Sequence, residues 1–182
     1  MHAERHPAGL SGLDRAAFRW VFEEHHRHVR HALRRLGVQA ADLEDLMHEV
    51  FVIFYRRCDD YDPARPLHPW LDGIALRVAV AHRRRARQSA EVFGREVEDV
   101  PDSAPLPDQN LASLRDYVLV TEALGTVALD RRVVLTMHEI DGAAMPEIAR
   151  SLEIPLGTAA SRLRLAREDF KTAVQRLRAR RR

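Results

Sequence analysis

Residues 145–167, MPEIARSLEIPLGTAASRLRLAR, restrict this chain more than any other stretch does. They read as two short helices joined by a tight turn. Pro146 suits the first turn of a helix, where its missing N–H costs nothing. Ile148, Ala149 and Leu152 repeat at helical spacing, and the small Ala149 lets a second helix cross closely. Glu153, Ile154 and Pro155 break the pattern, and a new helix starts near Gly157 and Thr158. On it Ala159, Leu163, Ala166 and Phe170 share one face, Ser161, Arg164 and Leu165 point away, and Arg162 and Arg167 flank them. This is the plan of a helix-turn-helix, whose second helix enters the DNA major groove, where arginine pairs with guanine edges or phosphates. A plain surface hairpin with a solvated basic face would show much the same pattern. The turn also carries Glu153 near the position where glycine usually adopts a left-handed conformation, at a cost of about 1 kcal/mol. The rest of the chain therefore has to decide.

A chain of 182 residues can hold one domain or two small ones. Only 6% of it is aromatic and Gly and Pro are modest, which favours helices. The formal net charge is +2 while the pI is about 9.1, so charge has to be read locally. Lys171 is the sole lysine; the other cationic side chains are arginines. A single cysteine, Cys58, rules out an internal disulfide and fits a reducing compartment. No apolar run approaches membrane-spanning length and the N-terminus lacks a signal-peptide core, so a cytoplasmic protein with no membrane insertion is expected.

Residues 1–12 lack periodicity and read as a mobile leader. From 13 to 36, Phe18, Val21, Phe22, Val29, Leu33 and Leu36 make one side of an amphipathic helix closed by Gly37. Its histidines, His25, His26, His28 and His31, lack a completing Cys or carboxylate nearby, so a solvated face is expected and no metal. Asp42 reads as the N-cap of the next helix, with Asp45 as the partner in a capping box. Leu43, Leu46, Met47, Val50, Ile53 and Phe54 form its buried stripe. Asp45, His48, Glu49 and Val52 lie opposite, as an acidic face that either meets water or docks a protein. A loop with acids at 59, 60 and 62 continues through Pro66 and Pro69. A helix over about 67–87 then carries Trp70, Leu71, Ile74, Val78 and Ala81 inward. It ends in His82, Arg83, Arg84, Arg85, Ala86 and Arg87, more cations than a helix end needs, and reads as a phosphate-binding patch.

Residues 88–112 hold six acids against the single base Arg95, with prolines at 101, 105 and 107. They read as an acidic, flexible linker, long enough to let two helical domains, 13–87 and 113–182, close on each other. After it, a helix over 113–124 precedes one capped by Asp130 and stopped at Gly142, with Val133, Val134, Met137 and Ile140 buried. The helix-turn-helix follows. From Arg162 onward nine bases face two acids, which favours contact with the DNA backbone. The fold class is all-α.

Taken in order, these pieces resemble bacterial RNA polymerase sigma factors of the sigma-70 family, in the small extracytoplasmic-function group. Residues 42–51, DLEDLMHEVF, resemble the family's second-region signature. Tyr61-Asp62-Pro63, then Pro69-Trp70-Leu71 with Ile74-Ala75 and an arginine run, follow in family order. Glu147-Ile148-Ala149, Ile154-Pro155, Gly157-Thr158 and Ser161-Arg162-Leu163 resemble the fourth region. The resemblance implies that Asp42, Asp45, His48, Glu49 and Val52 dock on the β′ clamp helices of core RNA polymerase. It implies that Tyr61, Trp70, Arg77, His82, Arg83, Arg84 and Arg85 hold the opened −10 promoter element by stacking and pockets. Thr158, Ser161, Arg162, Arg164 and Arg167 would read the −35 element. Core polymerase, including its β flap, promoter DNA and an anti-sigma factor are the implied partners. The third region of larger sigma factors is absent.

His48 stands where glutamine is common, Ala81 where Asp is, Leu76 where Arg is, and Ala160 and Leu165 where bases are frequent in the family. A relaxed or altered −35 preference follows as an expectation. The competing reading is a helix-turn-helix regulator acting on duplex DNA without polymerase; it gives no use to the acidic face or to the strand-holding arginines. An enzyme is disfavoured because the chain has no Gly-rich phosphate loop, nucleophile motif or metal-ligand array, so no catalytic residue and no cofactor is expected.

Overall fold

A computed structural model of the chain describes residues 15–93 and 111–181. Among these the regular elements are all helices, the longer ones being α1 (Arg15–Arg35), α2 (Leu43–Arg57), α3 (Leu67–Phe93), α4 (Leu111–Thr126), α5 (Leu129–Glu139), α6 (Met145–Ser151) and α7 (Leu156–Arg180). The expected leader and most of the expected linker lie outside the described residues. Helices α1, α2 and α3 pack on one another as the first module; α4 to α7 form the second, with α7 against α4, α5 and α6.

The apolar periodicity becomes the core. Val29, Leu33, Leu43, Val50, Phe54, Leu71 and Ile74 are all essentially inaccessible. Phe51 joins them, and its ring meets Phe18, Phe22 and Phe54 edge-on. Burying a side chain of this size stabilises by about 1.5–3 kcal/mol, so truncating any of them threatens the module. In the second module Val133, Val134, Met137, Ile148, Ala159, Leu163 and Ala166 interlock. The two cores meet, so that one continuous apolar cluster runs from Val21 to Ala166.

Several local expectations change. Ala40–Asp42 form a 3-10 turn, so Asp42 already has helical angles and makes no side-chain cap; its carboxylate meets His82 instead, at 3.2 Å. Asp130 is likewise inside the first turn of α5, whose N-cap is Ala128, and it pairs with Arg162 at 3.2 Å. Pro69 does not prolong the loop. It lies in the first turn of α3, where a missing N–H is harmless, and the helix continues past Arg87 to Phe93. Ala81 is exposed, because the inward stripe of α3 runs through Ala75 and Ala79. Ile140 is 53% exposed at the end of α5, beside Val120, Leu124 and Phe170 on a shallow apolar groove.

Candidate nucleic-acid interface

With one side of α2 buried, the other is obliged to face outward. Asp45, His48 and Val52 are exposed and Glu49 is half-buried. Tyr55, one turn after Val52 and half-exposed, belongs to the same face; its spacing made it legible, and the sequence reading passed over it. His48 lies parallel to the Phe22 ring, with centroids 6.2 Å apart.

This acidic face adjoins the basic end of α3. The Arg85 guanidinium donates to Glu49 Oε2 at 3.2 Å, and His82 meets Asp42. Arg83 turns inward and donates to the Leu36 carbonyl at 3.2 Å, at the end of α1, whereas Arg84 is exposed. Arg77 lies further back along α3 and reaches Glu153 of the second module at 3.4 Å. Tyr61 and Trp70, placed with the −10 contacts by resemblance, pack on each other at 5.1 Å between ring centroids. Tyr61 is buried and donates its hydroxyl proton to the Arg65 carbonyl. Trp70 also meets Phe54 edge-on, at 5.5 Å. Tyr61 is thus covered, whereas Trp70 stays partly exposed.

Helix α7 begins directly after Pro155 and turns its Ala159, Leu163 and Ala166 stripe onto α5 and α6. Ser161, Arg164 and Arg167 are therefore exposed, and Thr158 and Arg162 are half-buried. Each arginine rests on a carboxylate of its own module: Arg162 on Asp130, Arg164 on Glu168 at 2.7 Å, and Arg167 on Glu139 at 2.6 Å. Exposed pairs of this kind contribute only about 0–1 kcal/mol, so phosphate or a guanine edge can replace the acid at little cost.

The histidines of α1 are not all on a solvated face. His25 is buried and shares a 3.1 Å hydrogen bond with His68. His28 stacks on the same His68 ring at 3.9 Å and meets the buried Asp72 at 2.8 Å. Helix α3 crosses α1 there, a contact between positions more than forty residues apart that local periodicity does not reveal. His31 is exposed, as expected. Among the described residues no group of three or more His, Cys, Asp or Glu side chains could hold a metal ion. Sequence reasoning also missed Arg35, Arg65 and Asp141, which with the motif residue Glu147 join the modules; single charges in a chain this rich in them carry no local signal.

A helix-turn-helix with an outward arginine face, beside a module that sets acidic and basic faces side by side, defines a DNA-binding protein built from two helical modules. The Sigma-70 region 2 family model matches residues 21–89, and the Sigma-70 region 4 model matches residues 117–170. The ECF RNA polymerase sigma factor SigL of Mycobacterium tuberculosis is 30% identical over 93% of this chain and 96% of its own. The RNA polymerase sigma factor CnrH of Cupriavidus metallidurans is 30% identical over 86% of this chain and 85% of its own. Among solved structures, the sigma factor RpoE of Bartonella quintana, in complex with the anti-sigma factor NepR, has the same fold. Its TM-score is 0.72, with 20% identity over 87% of this chain and 96% of that one. The structure of CnrH in complex with the cytosolic domain of CnrY gives a TM-score of 0.63 at 23% identity, over 91% of this chain and 92% of that one. The chain belongs to the sigma-70 family of RNA polymerase sigma factors, in its ECF group. As such it binds core RNA polymerase and promoter DNA and directs promoter-specific initiation. No helix of the described residues is long and apolar enough to cross a membrane.

Proposed function

We propose that Asp42, Asp45, His48, Glu49 and Val52, with Tyr55, form the polymerase-docking face, and that the basic end of α3 holds the opened −10 strand beside it. The observation that carries this reading is the contact between the two faces through Arg85–Glu49 and His82–Asp42. Docking on the polymerase would draw the acids away and leave His82, Arg84 and Arg85 to meet the phosphates of the displaced strand. Melting then draws its free energy from strand binding, so the protein catalyses no covalent step and needs no nucleotide. Thr158, Ser161, Arg162, Arg164 and Arg167 meet the −35 duplex. Tyr61 and Trp70 serve the −10 element at the start of the arginine helix, with Trp70 the partly exposed ring of the two. An anti-sigma factor is a fitting cytoplasmic partner, since two solved neighbours hold one or a domain of a partner chain.

The test is run-off transcription with purified core polymerase on a genomic fragment library, with and without the protein. New specific transcripts are expected, and Glu49→Arg, which places a cation on the docking face, should abolish them. Transcripts unaffected by Glu49→Arg would overturn the assignment of this face. Duplex binding without polymerase association would favour a conventional regulator.

A further inference from the structure

Arginines from both modules converge where the end of α3 passes the turn between α4 and α5. An open cleft of about 750 Å³ lies there, walled by Arg83, Arg84 and Arg87 on one side and by residues 125–129 with Arg132 on the other. A volume of that size is usual for a small-molecule site. No carboxylate lines it among the described residues. Elsewhere on this protein several exposed arginines rest on acids, as Arg85 does on Glu49 and Arg164 on Glu168. Arg84 and Arg87 are exposed at the mouth of the cleft and meet no carboxylate among the described residues.

The floor of the cleft is fixed by backbone. Gly37, just after α1, adopts φ 86°, and a Cβ built on it would lie 2.7 Å from Arg83 Nη2 and 3.0 Å from Arg132 Nη1. Two guanidinium groups, one from each module, thus come side by side over a position that a side chain would fill. Arg83 donates to the Leu36 carbonyl, and the buried Arg132 donates to the carbonyls of Gly125 and Val127. Those carbonyls fix where the cations stand; being neutral, they do not cancel the charge. Opposite them α5 starts at Ala128, which makes no side-chain cap. The positive end of a helix therefore adds to the same cleft. Asp130, in that first turn, meets Arg162 of α7 and is not part of the cleft wall.

We infer that this cleft is a binding site for a short polyphosphate, bare or carried on a nucleoside. Guanidinium forks match phosphate oxygens in pairs, and a helix N-terminus offers N–H groups to the same anion. A single phosphate reaches only part of this array; a chain of two or three spans from the floor to Arg84 and Arg87 at the mouth. Val80, 47% exposed, and Leu129 give an apolar edge on which a base or ribose can rest. A nucleic-acid backbone fits less well. It is met by cations that project, whereas Arg83 turns inward and Arg132 is buried.

Isothermal titration calorimetry on the full-length protein, at fixed ionic strength, tests the site with sodium tripolyphosphate, ATP and sulfate. Saturable one-to-one binding of tripolyphosphate and ATP is expected, with sulfate at least about tenfold weaker. Tighter binding of ATP assigns a nucleoside; equal binding assigns the bare chain. Arg87→Ala should weaken both by about tenfold, the loss of one charge-assisted contact. Ala128→Asp sets an acid at the cleft and should weaken them at least as much. It also gives α5 the cap it lacks, so its Tm should hold or rise. Arg176→Ala, on the basic end of α7, should bind as the wild type does. Absence of saturable binding to the wild type overturns the site. So does wild-type affinity in both cleft variants, or an equal loss in Arg176→Ala. Binding of a single-stranded oligonucleotide in place of tripolyphosphate, weakened by the two cleft variants, would instead make the cleft part of a strand path. Binding is read on the free protein, so the polymerase-docking assignment can fail without changing the result.

Discussion

Glu153 shows how two opposed effects meet at one residue. Its φ of 56° is a conformation that glycine adopts freely and that costs other residues about 1 kcal/mol or more. Its carboxylate meets Arg77 at 3.4 Å, with both side chains well exposed, and a pair of that kind returns at most about 1 kcal/mol. Glu153→Gly should therefore stabilise the helix-turn-helix module by about 0.5–1 kcal/mol, read as a raised urea midpoint at unchanged slope. A lowered midpoint would mean that the Arg77 contact outweighs the strain. The strain was legible in the sequence, since the turn could be placed between two apolar repeats. Its partner was not, because Arg77 lies on another module.

Within α7 the proposed DNA contacts would give the same charge two jobs at different places. Arg164 projects from the first half of the helix, away from the buried Ala159, Leu163 and Ala166 stripe, where a groove-bound helix meets base edges. Arg178 is exposed near the far end of the helix, about four turns further along. Arg164→Ala should cost about 1–3 kcal/mol on the preferred −35 sequence and relax preference at particular base pairs. Arg178→Ala should weaken all sequences alike and reduce the slope of log affinity against log salt by about 0.9. Competition binding at several salt concentrations separates the two; equal loss of preference in both variants would contradict the division. The elements themselves were largely readable. Helical spacing gave α1, α2, α5 and the helix-turn-helix to within a few residues, because an apolar stripe is a local property. At the caps it placed Asp42 at the N-cap of α2 but not its carboxylate, which found His82, and it misplaced Asp130, which lies inside α5 and found Arg162. A capping residue identified by type alone competes with any cation the fold brings near.

At the scale of the molecule, the contact between the modules responds to acid through two carboxyl groups whose pKa values are shifted in opposite directions. Burial pushes the Glu147 carboxyl up, but hydrogen bonds and charge from Arg65 and Arg150 together outweigh it, and its pKa lies below the ordinary 4.5. The stability it contributes is present above 4.5 and is lost as pH falls through the lowered value. Burial raises the Asp141 carboxyl above 3.8 despite Arg35, and Asp72 adds to the rise. Its contribution is fully present below 3.8 and is lost as pH rises through the raised value. Acid therefore removes stability through Glu147 and not through Asp141. In scattering titrations downward from neutral pH, Glu147→Gln should lose part of the wild-type dependence on acid. An identical titration would mean that Glu147 does not hold the modules together.

The sequence by itself determined the helical class, the helix-turn-helix, the two-module order and the family, because each is carried by residues close together in the chain. Spacing, turn-breaking residues and motif order survive without knowledge of what packs against what. Only the tertiary structure decided that His25 and His28 turn inward, that Tyr61 and Trp70 pack on each other, and that α3 crosses α6 at Gly73. These depend on which charge meets which across long stretches of chain, and on the ångström-scale fit of one backbone against another. A glycine in a helix or a glutamate in a turn looks like a local flaw until the surface opposite it is known.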